Sequence, residues 1–299
     1  MSVLKEGTYT VPSRVIGVCK YLLQVRNQRE NRDKLYQILS PETLLARRDK
    51  TASSASSSKR EDATKTSRQM IKTVVRECIN MGLLVEDGED VAINPILNLK
   101  SIKQLPTVIS NLYLSSENAE NHDFAKVLAW YLAQDFYNAP GNWQSAEPLL
   151  RQQVGSDLLE LNDIRYGQFD DWICYLGFGW QFALSKNSSI TVPDPTTYLR
   201  ENLKYVFAGK ANEQISVADF IDRLGEYCPV FETGYFRDQI EQQIPRDQNV
   251  LSTITSMALC RLVDEGVLKF ERLSDSSVPL FILLDGTEEI RVTHVNWIL

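Results

Sequence analysis

Apolar positions along this chain follow two alternating periods. From Val11 to Arg26 they recur every three or four residues, with Val15, Ile16, Cys19, Leu22 and Leu23 on one stripe. That is the spacing of an amphipathic helix, and Pro12 suits its first turn, where the missing N–H has no helical partner to lose. A second helical pattern covers about Arg32 to Leu39, and Pro41-Glu42-Thr43-Leu44-Leu45 starts a short third. A longer run follows from about Lys65 to Met81, its stripe being Ile71, Val74, Val75, Cys78 and Ile79. The period then changes. Gly82 interrupts the run, Leu83-Leu84-Val85 and Val91-Ala92-Ile93 read as strands, and Glu86-Asp87-Gly88-Glu89-Asp90 reads as the turn between them.

The same grammar returns twice. Cys174-Tyr175-Leu176 ends a helical run at Gly177, with strand patterns at Phe178 to Leu184 and Ile190 to Val192. Leu262 to Glu265 ends another at Gly266, with Val267 to Phe270 and Leu280 to Leu284 as the expected hairpin and Arg272 to Ser277 as its turn. The three glycines are 95 and 89 residues apart. A glycine just past a helix end takes the left-handed conformation and turns the chain sharply. The apolar residues behind it can then pair as a hairpin.

Further helices are expected upstream of each glycine. In the middle stretch they lie at Phe124–Phe136, Ala146–Val154 and Tyr166–Leu176, and Asp194 caps a connecting helix to about Phe207. In the last stretch they lie from Ser216 to Tyr227, near Tyr235–Ile240 and from Asn249 to Glu265, and Ile290 to Val295 forms a final strand. The expected fold is mainly α with small β-hairpins (α+β), as three winged-helix-like units in series. Their expected bounds are 1–98, with a Ser-rich loop at 51–60, then 99–193 and 194–299.

Charge divides the chain unevenly. Residues 1–100 hold 17 Lys+Arg against 12 Asp+Glu, whereas residues 101–299 hold 15 against 27, within an overall net charge of −7. A basic unit on an acidic body suggests a polyanion-facing domain joined to a partner-facing one. In a winged helix the last helix before the hairpin enters the major groove. On that helix Lys65, Arg68, Lys72 and Arg76 are spaced by three, four and four residues, opposite the apolar stripe. Gln69 and Thr73 beside them are candidates to reach base edges. Arg47, Arg48, Lys50, Lys59 and Arg60 precede the helix and are candidates to meet phosphates. The four carboxylates of residues 86–90 repel phosphate, so the wing is expected to point away from DNA. The helices expected at 166–176 and 249–265 carry Asp170, Asp171, Asp264 and Glu265 with few bases, and are read as partner-facing.

Candidate chemistry is sparse. The five cysteines, Cys19, Cys78, Cys174, Cys228 and Cys260, are scattered and never form a C-x-x-C pair, so they read as reduced, structural thiols. His122 and His294 are the only histidines, and a zinc site is not expected. There is no P-loop, G-x-G-x-x-G or G-x-S-x-G. Asp163, Asp170 and Asp171 resemble a magnesium-binding cluster only in part, since no lysine pattern of a nuclease accompanies them. Trp130, Tyr131, Trp143, Trp172 and Trp180 read as core. No cofactor, metal or catalytic residue is expected. Val278 to Leu284 is too short to span a bilayer and Met1 to Glu6 lacks a signal-peptide core, so a cytoplasmic protein away from membranes is expected.

The opening Val11-Pro12-Ser13-Arg14-Val15, the helix behind it and the following wing resemble the G component of bacterial Dpd clusters, which install and police 7-deazaguanine bases in DNA. The resemblance implies a role on the restriction side of an anti-phage system, within a multi-protein assembly, and it carries over no catalytic residue. The reading is a non-enzymatic adaptor that grips double-stranded DNA through its first unit and other protein subunits through the rest. The alternatives are a transcription regulator, or a tandem winged-helix scaffold subunit of a chromosome-organising ATPase complex.

Overall fold

The computed structural model describes residues 9–41, 57–115, 123–155, 161–185, 188–247, 249–273, 280–283 and 289–298. The chain is mainly helical with small antiparallel sheets, an α+β fold. It divides into two compact units, Val3–Tyr113 and Leu114–Leu299. Residues 42–45 of the short helix expected from Pro41, and residues 51–56 of the Ser-rich loop, lie outside the described residues.

The first unit runs α1 (Pro12–Leu22), β1 (Arg29–Asn31), α2 (Arg32–Leu39), α3 (Ser57–Asn80), β2 (Leu84–Asp87), β3 (Asp90–Ile93) and α4 (Leu105–Leu114). Asn31 caps α2, its side chain accepting from the N–H groups of Asp33 and Lys34. The helix α3 starts eight residues earlier than the apolar stripe suggests. Ser57 to Arg60 are therefore its first turn and not part of a loop. The stripe of α3, Ile71, Val74, Val75 and Cys78, is buried with Val15, Val18, Cys19 and Leu22 of α1, Leu35 of α2, and Leu84, Val91 and Ile93 of the hairpin. β1 joins the hairpin on the β3 side, giving the order β1–β3–β2, with Glu30 opposite Val91.

The second unit opens with α5 (Asp123–Leu132), α6 (Trp143–Gln153), α7 (Asp163–Leu176), β4 (Gly179–Ser185), β5 (Ser188–Pro193) and α8 (Thr196–Val206). It continues with β6 (Gln214–Ser216), α9 (Val217–Tyr227), α10 (Tyr235–Glu241), α11 (Thr253–Asp264), β7 (Leu268–Glu271), β8 (Leu280–Leu283), β9 (Glu289–Val292) and β10 (His294–Trp297). Phe124, Ala125 and Val127 to Leu132 are all buried. A helix apolar on every side needs cover on every side, and α5 finds part of it against α10. The Tyr131 and Phe169 rings meet edge to face at 5.5 Å. Phe178 stacks on Tyr198 at 4.2 Å, and Tyr198 on Phe231 at 6.0 Å. Thr253 sits just inside α11, its hydroxyl accepting the Phe136 N–H at 2.7 Å and donating to Asp135 at 3.1 Å. The cap of α11 is Ser252, so this helix starts later than the expected Asn249.

All three expected glycine turns are present. Gly82, Gly177 and Gly266 have φ of 81°, 84° and 72°. Each N–H bonds a carbonyl three residues back, and the next N–H bonds one five residues back, as in Leu83 to Cys78, Phe178 to Ile173 and Val267 to Leu262. This pair of bonds closes the helix and aims the chain into the strand.

The third hairpin departs from the expected pairing. β7 pairs with β10, Glu271 opposite His294, while β8 pairs with β9, Leu280 opposite Val292. The stretches expected to face each other thus both lie against successive parts of residues 289–297, which break at Thr293. The Thr293 N–H bonds the Glu271 carbonyl at 2.9 Å, and its hydroxyl accepts the Leu273 N–H at 2.9 Å. β10 is also flanked by β6, with Val295 opposite Ile215.

One ion cluster is buried in the second unit. Glu232, 1% exposed, meets Arg246 at 3.2 Å and accepts the Ser252 hydroxyl at 2.6 Å, while Arg237 and Arg246 share Glu241. Burial pushes the Glu232 carboxyl up. Arg237, Arg246 and the hydroxyls of Ser252 and Thr255 outweigh it and hold the group below its ordinary value.

Gly177 tests the turn most sharply. A Cβ there would stand 3.0 Å from the Tyr198 N and 3.2 Å from the Thr197 Cγ2. Gly177→Ala is expected to destabilise the chain by roughly 1–2 kcal/mol or more from the left-handed backbone alone, read as a lower midpoint in urea unfolding. An unchanged midpoint would refute the constraint.

Candidate nucleic-acid interface

The predicted DNA face rests on α3, whose described side chains begin at Arg68. Gln69, Lys72 and Arg76 are exposed, and Arg68 is half-buried. They follow helical spacing on the side away from Val74, Val75 and Cys78. The Lys72 Nζ lies 5.8 Å from the centre of the Tyr36 ring on α2, within reach of a cation–π contact. That contact fixes the lysine stem while its charge stays in water. The helix therefore presents a row of cations with an amide beside it, held by the core behind it.

Thr73 does not belong to this row. It is 7% exposed, as is Glu77 one turn on, and a side chain so covered cannot reach a base edge. The stripe covers more of the helix than its five apolar residues suggest, and Thr73 falls inside it. Lys59, Arg60 and Lys65 are in α3, with side chains outside the described residues; the first two extend the helix and do not precede it. Arg47, Arg48 and Lys50 lie outside the described residues.

The acidic turn between β2 and β3 is not a bare anionic tip. Arg29 bonds Asp90 at 2.6 Å and also pairs with Asp87. Arg32 meets Glu86 at 3.1 Å, donates to the Gly88 carbonyl at 3.4 Å, and its backbone N–H bonds the Glu89 carbonyl at 3.0 Å. Sequence reading missed both arginines, because the β1–β3 pairing that brings them there spans some sixty residues. The signal was available only as two arginines flanking a short strand pattern at Arg29-Glu30-Asn31. Three of the four carboxylates are thus paired within the unit, by two arginines that offset two of the four charges, and Glu89 remains exposed. Glu30 on β1 is engaged too, by Lys34 at 2.9 Å and the Tyr21 hydroxyl at 2.6 Å.

The carboxylates considered for metal do not converge. Among the described residues no group of three or more His, Cys, Asp or Glu is placed to hold a metal ion. Asp171 is exposed, and Asp163 lies at the start of α7. Asp170 is half-buried, and its Oδ1 has no hydrogen-bond partner among the described residues. Burial pushes its carboxyl up to about 7, against a hydrogen bond from Thr191 that favours the charged form. Cys19, Cys78 and Cys228 are buried and Cys174 and Cys260 half-buried, all as free thiols. Burial pushes the Cys19 and Cys228 thiols up to about 12, so they are poor nucleophiles. Trp130 and Trp172 are core, but Trp180 is 43% exposed on β4 and is not. No helix among the described residues is long and apolar enough to cross a membrane.

Asp170 gives a pH prediction. A carboxyl raised above its unfolded value keeps its proton longer in the folded chain, so the contribution of Asp170 to stability falls as pH rises from about 4 to about 7 and levels off beyond. Asp170→Asn is expected to flatten that part of the profile of melting temperature against pH. A wild-type profile with the same slope across that window as the Asp170→Asn profile would contradict it.

No curated protein and no solved structure matches the chain. A family model described as DpdG-like matches residues 1–276, which takes in all of the first unit and most of the second. By that match, over most of its length, the chain belongs to the DpdG-like family.

Proposed function

We propose that the chain is a non-enzymatic, DNA-contacting subunit of a Dpd defence assembly. Family membership ties it to the Dpd modification system and to work alongside other protein subunits. The exposed row Gln69, Lys72 and Arg76 on α3 carries the DNA half of the reading. In the first unit the order helix, strand, helix, helix, hairpin, with β1 added to the sheet, supports a winged-helix reading in which α3 is the helix that enters the groove. Pairing of Arg29 and Arg32 with the acidic turn offsets two of its four negative charges and so about half of the repulsion that turn would exert on phosphates.

Charge supports the division of labour. Residues 3–113 hold 18 Lys+Arg against 12 Asp+Glu, and residues 114–299 hold 14 against 27. The first unit is the one suited to a polyanion, and the second the one suited to protein partners.

The test is duplex DNA binding by the full chain across a salt series, beside a Lys72→Glu/Arg76→Glu variant. Both side chains are exposed, so the variant is expected to stay folded, with at most a small drop in melting temperature from contacts such as Lys72 with Tyr36. It is expected to bind at least about tenfold more weakly, with a salt slope smaller by about two phosphate contacts. Equal binding by the two proteins would remove DNA from α3. No binding by either at low salt would leave the protein-scaffold alternative.

A further inference from the structure

A cavity of about 350 Å³ opens in the second unit between α9, α10 and the segment that leads into α11. That is the size of a small ligand site, about 300–1,000 Å³. Ala218, Ile221 and Leu251 form its apolar side. Four carboxylates line the rest: Asp222 on α9, Glu232 on the turn before α10, and Asp238 and Glu241 on α10. They fall into two sets. Glu232 and Glu241 are already engaged, since Arg246 bridges them and Arg237 bonds Glu241 as well. Asp222 and Asp238 take no part in that network. Both are exposed, and neither forms a salt bridge with another described residue.

Four carboxylates against two arginines leave two negative charges in excess. Burial and the Glu241 carboxylate push the Asp238 carboxyl up, and Arg246 only partly opposes them. The charge that the cavity lacks is therefore a cation. A bare metal ion does not suit, because no three acidic, cysteine or histidine side chains among the described residues are placed to hold one. Carboxylates that do not converge call for an extended cation, and the apolar side calls for a hydrocarbon stem. An arginine side chain has both, and its planar fork can reach separate carboxylates. Behind the lining, Arg237 is buried with its Nη1 lacking a hydrogen-bond partner among the described residues. A peptide brings carbonyl oxygens that can accept from such a donor, whereas a free alkylamine brings none.

We propose that this cavity is an anchor site for an arginine side chain of a partner protein, with the guanidinium held by Asp222 and Asp238 and the stem along Ile221 and Leu251. The proposal rests on the reading that the second unit faces protein partners, and it gives that reading a place and a chemistry. Arginines seated in pockets are among the residues that dominate protein interfaces. The network of Glu232, Arg246 and Glu241 is then the fixed floor against which the arginine docks. Failure here removes the cavity alone. The broader reading fails only if the chain retains no other subunit of its assembly.

The test is the amide NMR spectrum of the full chain titrated with acetyl-arginine methylamide, beside its neutral citrulline counterpart and free arginine. The capped arginine is expected to shift the amides of Asp222, Thr233, Asp238 and Leu251 together and to saturate in roughly the millimolar range. Citrulline, of similar shape without the charge, is expected to leave them in place. Asp222→Asn/Asp238→Asn changes two exposed side chains and is expected to weaken binding at least about tenfold. Ala218→Phe fills the cavity from an exposed helix position without altering charge, is expected to abolish the shifts, and decides alone should the double variant fail to fold. Shifts spread over the acidic surface overturn the proposal. So does equal binding of citrulline, binding unchanged in both variants, or free arginine binding far more tightly than the capped form, which marks a small-molecule site.

Discussion

The glycine turn at the end of α3, α7 and α11 sets the layout of both units. A helix ends with four carbonyls that lack helical partners, and a left-handed residue lets two N–H groups fold back onto them. The chain then leaves at a fixed angle, as a strand lying against the helix it came from. Gly82, Gly177 and Gly266 do this with the same two bonds. At Gly177 there is a second demand, since Tyr198 and Thr197 of α8 stand against the bare Cα. The hairpins, the Phe178–Tyr198 stack and the exposed face of β4 all follow from where that turn sends the chain.

These turns were legible because glycine, helical period and strand period coincide locally. Pairing between distant segments was not. Leu268 to Glu271 and Leu280 to Leu283 look like the two arms of one hairpin, yet each pairs with a different part of residues 289–297. Apolar alternation marks a strand but does not name its partner. The packing of α5 on α10 was hidden for the same reason: a helix apolar on all sides advertises burial and nothing about its neighbour. Trp180 is the converse case, an aromatic in a strand pattern that reads as core but faces water.

The candidate site was legible to a similar depth. Arg68, Gln69, Lys72 and Arg76 share a helix face because spacing of three and four residues dictates it. Thr73 was misplaced by one step around the helix, where a short polar side chain gives no sign of which side it takes. The pairing of Arg29 and Arg32 with the acidic turn needed the β1–β3 ladder to become visible. That pairing changes the meaning of the charge count, because part of the basic excess of the first unit is consumed inside it. What faces outward is a narrower feature, the exposed row on α3, and it is this row that the assignment to DNA depends on.

The most direct measurement is therefore photo-cross-linking from single positions in the full chain bound to duplex DNA. A photoreactive side chain at Gln69 probes α3, one at Glu89 probes the acidic turn, and one at Gln181 probes the second unit. The account predicts DNA adducts from position 69 and none from position 181, with position 89 weak. Strong adducts from position 181, or none from position 69 under conditions where the protein is bound, would contradict it.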